Sequence, residues 1–326
     1  MSTHFYLRDN QHIAENKALS DSSKELFQLE KADGTIAAYE ADWNDFCDWC
    51  RYHDVSFFPA TPETLVNYIN DLSRYAKANT ISRRVSAISE NYLAGGVVAD
   101  NPCASPLVKA AMKSIRRKIG TFQQGKMPIL KEDLLEIVKT LKTQDLVDLR
   151  DKTLLIIGFM GAFRRSELVG IRVEELTFER RGLEIFLPSS KTDQEGRGNV
   201  VALPFLRNED ICPVRTMRRW LDTAQIHAGP VFRGITRGGN LRATALSDQM
   251  VNRIVKERVV QIGLDPDDYG AHSLRHGFAT SAAMAGVEER NIMKQTRHHS
   301  VEMVRHYINE ADRFSHNPLS EMFESK

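Results

Sequence analysis

From Ser20 to about Ile119 the apolar residues recur every three to four positions, the pattern of helices that bury one face. Helices are predicted over Thr35–His53, Pro62–Ala76, Thr80–Ala94 and Ser105–Ile119. Their breaks fall at Pro59-Ala-Thr-Pro62, at Gly95-Gly96 and at Asn101-Pro102, since proline lacks the helical N–H and glycine loosens the backbone. The alternation of a strand is missing here, so residues 19–122 read as a small helical domain, preceded by a polar, aperiodic stretch over 1–18 expected to be a mobile tail. Gly120 to Pro128 is aperiodic and carries two glycines, which places a linker at 123–128. Beyond it, Leu130–Leu141 and Leu146–Met160 read as helices. Gly182–Pro188 and Asn199–Pro204 read as two strands joined by a polar loop, and helices return from Pro213 onward. The predicted fold class is mainly α with a small antiparallel β-sheet (α+β), the second domain spanning 129–326.

Composition changes this picture little. An apolar fraction of 42% and a charged fraction of 27% allow an ordinary globular core in each domain and argue against disorder. The longest apolar run, Leu154 to Phe163, suits a buried helix and is too short to span a membrane. The start of the chain lacks the basic and apolar run of a signal peptide, so a cytoplasmic protein is expected. Cys47 and Cys50 form a CxxC without a second pair, and they recur with Tyr39, Trp43 and Phe46 at helical spacing, which predicts core packing.

Charge matters more. The net charge is only +1, yet residues 1–80 hold seven Lys and Arg against thirteen Asp and Glu, while 81–126 hold eight against two. Such segregation points to an anionic partner at one place on the chain.

The second domain carries several residues of chemical interest. Gly161-Ala-Phe-Arg-Arg-Ser-Glu-Leu168 closes a buried helix and turns into another. Lys191 stands in the loop between the strands, His272-Ser-Leu-Arg275-His276 opens a helix, and Arg297-His298-His299 precedes Tyr307. Taken singly, Arg164 or Arg165 is a solvated helix end, Lys191 a surface lysine and Tyr307 a half-buried core residue. His272 and His276, four apart, could face a metal, although no glutamate follows His272 as in zinc proteases.

Taken together they resemble the tyrosine recombinase (phage-integrase) family, of the Cre-like site-specific type. The family carries an arginine three residues before a glutamate, a lysine on a β-hairpin, His-x-x-Arg, a His or Trp some two dozen residues on, and a nucleophilic tyrosine nine beyond that. Here Arg164 and Glu167, Lys191, His272 and Arg275, His298 and Tyr307 stand in that order and spacing. The spacing favours His298 over His299. Phe57-Phe-Pro-Ala-Thr-Pro-Glu63 and Thr80-Ile-Ser-Arg-Arg84 are similar to the family's helical, SAM-like core-binding domain that clamps DNA. Two departures stand out: Arg297 occupies a position where the family usually has glycine, and Gly161 lies three rather than two residues before Arg164.

The resemblance implies attack by Tyr307 on a scissile phosphate, a 3′-phosphotyrosyl intermediate and strand exchange through a Holliday junction, with no metal or other cofactor. Arg164, Arg275 and His298 would stabilise the phosphate at the transition state, because guanidinium pairs with its oxygens in a planar, bidentate way. His272 is matched to the general base, Lys191 to the acid for the 5′-hydroxyl, and Glu167 to an orienting partner of Arg164 or Arg275. Phosphate contacts are expected from Arg83, Arg84, Lys109, Lys113, Arg116, Arg117 and Lys118. Ser247 reads as the N-cap of a helix to about Gln261, which would put Gln249, Asn252 and Lys256 on one face suited to a major groove. Residues 317–323 read as a terminal helix that docks into a neighbouring protomer, giving a homotetramer on DNA with inverted-repeat half-sites. A type IB topoisomerase or a catalytically silent DNA-binding regulator remain alternatives.

Overall fold

Within the stretch expected to be a mobile tail, Tyr6–Asp9 form a helical turn, α1. Phe5 and Leu7 are buried, and the Leu7 N–H donates to Asn91 Oδ1 at 3.2 Å, so two apolar side chains and one hydrogen bond hold it down. The computed structural model describes residues 5–9, 31, 33–96, 100–120, 125–188, 198–298, 300–302, 304, 305, 307 and 322. The chain divides into two units, Met1–Gln124 and Gly125–Lys326. No described helix is long and apolar enough to cross a membrane.

The first unit is helical: α2 (Asp33–Tyr52), α3 (Pro62–Leu72), α4 (Ala78–Ala94) and α5 (Pro106–Ile119). Thr61 and Ser105 cap α3 and α5 with their hydroxyls, each followed by proline in the first turn. Trp43, Phe46, Cys47, Cys50, Tyr68 and Tyr92 have no solvent exposure, so the CxxC lies within the core. The Tyr92 hydroxyl accepts from the Ala60 N–H (2.6 Å) and donates to Phe57 O (3.1 Å), satisfying a buried polar group while pinning the α2–α3 connection.

In the second unit α6 (Lys131–Thr140) precedes α7 (Leu146–Met160), whose residues from Leu149 to Phe159 are all buried. A helix buried on every side must be surrounded, and α7 packs against α6, α8 (Arg165–Gly170), α9 (Pro213–Thr223) and α11 (His272–Met284). α10 (Asp248–Val260) opens at Ser247, whose hydroxyl accepts from the Met250 N–H, and α12 (Glu289–Thr296) follows α11. The strands β1 (Leu176–Phe178), β2 (Gly182–Leu187) and β3 (Asn199–Pro204) form an antiparallel sheet in that order, with Leu183 opposite Leu203 and Ile185 opposite Val201 on the buried face.

Four expectations need correction. A hairpin, β4 (Arg233–Ile235) with β5 (Leu241–Ala245), interrupts the helices after Pro213, and β1 adds a third strand to the sheet. The helix begun at Pro62 ends at Leu72 rather than Ala76. Residues 125–128, assigned to a linker, are bound to the second unit: the Met127 N–H donates to Asp268 O (2.8 Å) and the Ile129 N–H to Ser273 O (3.0 Å). Gly277 permits that approach, since a Cβ there would sit 1.7 Å from Ile129 O. The rest of that linker, the terminal docking helix at 317–323 (Met322 apart) and Lys191 lie outside the described residues.

Candidate active site

The end of α7 builds the first wall. Gly161 closes the helix, Ala162 turns left-handed (φ 45°), and Arg164 emerges extended as the N-cap of α8. The i, i+3 spacing then brings Glu167 back over the cap: its Oε2 accepts the Arg164 N–H at 2.9 Å and its Oε1 accepts Arg164 Nη1 at 2.6 Å. Arg165 faces outward and pairs with Asp248 at 3.0 Å, so Arg164 is the inward residue of the pair.

α11 supplies the second wall. Arg275 is 1% exposed, and its Nη1 donates to Ala162 O at 2.7 Å. Its Nη2 is buried without a partner among the described residues. His272, one turn before, reaches solvent at the start of the helix. His276 is buried, with Nδ1 3.1 Å from Lys126 O; a carbonyl there requires the proton on Nδ1.

The third wall follows α12. Arg297 adopts a left-handed backbone (φ 56°, ψ 43°), which reverses the chain into His298. Residues 301, 302, 304, 305 and 307 are helical. Tyr307 is buried in a small apolar cluster with Ala279, Ile292 and Val304. Its ring centroid lies 4.8 Å from that of His276 and 5.7 Å from that of His298.

The electrostatics of the cluster are one-sided. Arg164, Arg275 and Arg297 gather around a single carboxylate, Glu167, which binds Arg164 and Arg297 rather than Arg275. Burial alone would raise the Glu167 pKa, but the Arg164 N–H and the two guanidiniums hold it below the usual value. Burial, with Arg164 and Arg297 alongside, pushes Arg275 down to about 9. His298 is pushed down to about 3 by burial and then by Arg275, Arg164, His272 and Arg297, and its Nδ1 lacks a partner among the described residues. His272 is solvent-accessible, yet enough protein surrounds the ring that desolvation, with Arg275, His276 and Arg164, lowers its pKa. Surplus positive charge and an unused buried donor make a receptor for an anion such as a phosphodiester. Among the described residues no group of three or more His, Cys, Asp or Glu is placed to hold a metal ion.

The structure thus brings Arg164, Glu167, His272, Arg275, His298 and Tyr307 together. The predicted DNA contacts divide. Lys109, Lys113, Arg116, Arg117 and Lys118 are all exposed on α5. Arg83 and Arg84 are instead engaged within the first unit: Arg83 pairs with Asp42 at 2.6 Å, and Arg84 pairs with Asp45 and the Tyr68 hydroxyl. These carboxylates of α2 compete with any phosphate for both arginines. On α10, Gln249 is exposed, but Asn252 Oδ1 accepts the Ala271 N–H (3.1 Å) and Lys256 pairs with Asp267 (2.8 Å). Asn252 therefore supports the start of α11, and the base-reading face shrinks to Gln249. Sequence reasoning missed Arg297 as a member of the cluster; its one signal was a long cation where glycine was expected.

Residues 129–313 match the model of the phage integrase family. An integrase/recombinase XerD homolog of Selenomonas ruminantium is 51% identical over 320 residues, covering 98% of this chain and 94% of that protein. Tyrosine recombinase XerD of Haemophilus influenzae is 22% identical over 306 residues, covering 91% and 94%. Among solved structures, XerH recombinase bound to a palindromic difH substrate superposes with a TM-score of 0.66 at 16% identity, over 97% of this chain and 90% of that one. The Tn1549 transposon integrase in complex with transposon right end DNA gives 0.63 at 15%, over 98% and 99%.

Proposed function

Because the chain belongs to the phage integrase family of tyrosine recombinases, we propose that it is a site-specific DNA recombinase that cuts and rejoins strands through Tyr307. The observation that carries this reading is the buried Tyr307 ring set between His276 and His298, in the same cluster as Arg275 with its unused Nη2. A phosphodiester entering there would meet Arg164, Arg275 and His298, and its developing charge would fall on two fixed guanidiniums and a neutral imidazole donor. The Tyr307 Oη–P bond forms, the P–O5′ bond breaks, and the protein keeps the 3′-phosphate as a phosphotyrosine.

Ionising a tyrosine at pH 7 costs about 4 kcal/mol from its ordinary pKa near 10. His272 accepts that proton; with its pKa lowered it is neutral at pH 7 and ready to do so. Lys191 returns a proton to the leaving 5′-oxygen. The bond energy stays in the phosphotyrosine, so a 5′-hydroxyl from a second duplex completes the exchange through a Holliday junction without nucleotide or metal. Four copies on two sites of inverted-repeat half-sites, linked by their C-terminal helices, would perform two such exchanges. The core-binding role falls to the helices of the first unit and to α5 above all.

The test uses DNA selected by binding from a random library, rebuilt as nicked suicide substrates and run on a denaturing gel in EDTA. A covalent band with wild type and none with Tyr307→Phe is the expected result. Specific binding without any covalent band favours a silent DNA-binding regulator. Relaxation of supercoils at undefined sites favours a topoisomerase.

A further inference from the structure

Arg297 takes a left-handed backbone that glycine adopts freely and that other residues adopt against a steric penalty. What the long side chain does there is specific. It is 7% exposed, and its Nη1 donates to Gly161 O (2.9 Å) and Gln295 O (2.8 Å). Its Nη2 donates to Ala162 O (3.0 Å) and Glu167 Oε2 (3.0 Å), and the guanidinium lies 5.1 Å from the Phe163 ring centroid. Both acceptors of Nη2 already serve an arginine at the phosphate receptor. Ala162 O is the acceptor of Arg275 Nη1, and Glu167 is the carboxylate that caps and pairs Arg164.

We infer that Arg297 is a positioning residue for strand cleavage: its buried fork clamps the Gly161–Ala162 turn and Glu167, and so fixes where Arg164 and Arg275 meet the scissile phosphate. This rests on the recombinase reading above. Arg297 spends both Nη atoms, the pair that would grip two phosphate oxygens, on the protein and keeps only its buried Nε without a partner among the described residues, while Arg275 keeps an Nη2, so Arg297 acts through the other two rather than as a fork on the phosphate. A planar fork fits this task and an ammonium does not, because four acceptors must be met from one rigid group.

Arg297→Gly separates the two contributions, since it keeps the left-handed turn and deletes only the clamp. Full-length wild type, R297G and R297K would be compared on the suicide substrate for single-turnover cleavage, DNA affinity and melting temperature. The expected result is that R297G binds DNA as wild type does but cleaves about ten- to a hundredfold more slowly, the scale of a small misplacement of charged groups. R297K, with charge but no fork, should fall between. R297G cleaving at the wild-type rate per folded molecule overturns the inference. Should R297G not fold, R297K decides: slower cleavage at unchanged affinity supports the clamp, and the wild-type rate overturns it. Absence of any Tyr307-dependent band with wild type is the distinct outcome that removes the recombinase reading and this inference together.

Discussion

His298 shows how the cluster ties charge to stability. Burial and four cationic or ionisable neighbours push its pKa down to about 3, so the fold holds the ring neutral. A group depressed from about 6.5 contributes stability that is complete above that pH and is lost as pH falls toward the folded value. Glu167, also depressed, adds a loss that starts below the ordinary carboxylate pKa of about 4.3. Melting temperature should therefore fall through the window from pH 6.5 to 4 in wild type, and more gently in His298→Gln. Parallel melting curves for the two proteins over that window would contradict the assignment. At this scale the sequence was informative where chemistry depends on spacing: Arg164 and Glu167 at i, i+3, or His272 and Arg275 on one helical turn. It marks Arg297 only as a departure from glycine and says nothing of its contacts, which come from a left-handed turn and from the carbonyls of Gly161 and Ala162, more than a hundred residues earlier.

Elements were readable from the sequence in proportion to how regularly they bury one face. α7 ends where the apolar run meets Gly161, and α10 begins at Ser247, because burial and capping are local signals. β1, β4 and β5 left no alternation to read: they span three, three and five residues, and none has a fully buried position. Packing between elements also reassigned side chains, and Asn252 is the sharpest case. Its carboxamide oxygen accepts the Ala271 N–H, directly ahead of His272, so α10 helps fix the start of the helix that carries Arg275 and the histidine proposed as general base. Asn252→Ala should cost about 1–2 kcal/mol of stability by leaving that N–H unpaired, and should slow cleavage without changing which sequence is bound. Gln249→Ala should do the reverse, altering site preference in a binding selection while leaving the melting temperature alone. A change of sequence preference in the Asn252 variant would restore it as a base reader.

For the whole molecule, a net charge of +1 conceals a cationic helix face because the compensation is local. Of the eight cations between residues 81 and 126, Arg83 and Arg84 are matched to Asp42 and Asp45, and Lys126 donates to Asp267 O. The remaining five lie exposed on α5. Part of that enrichment has a plain cause, since Arg116, Arg117 and Lys118 occupy the last turn, where cations offset the helix dipole. Lys109 and Lys113 sit too far from the end for that and share a face with Arg117 at intervals of four. If α5 tracks a DNA backbone, each of the three releases counterions on binding, at about 0.9 of slope per phosphate contact. Changing all three to alanine should flatten the plot of log affinity against log salt by about 2 to 3, equally on specific and unrelated DNA. The melting temperature should hold, because none of the three is buried. An unchanged slope would return α5 to an ordinary solvated face and move the phosphate contacts of the first unit elsewhere.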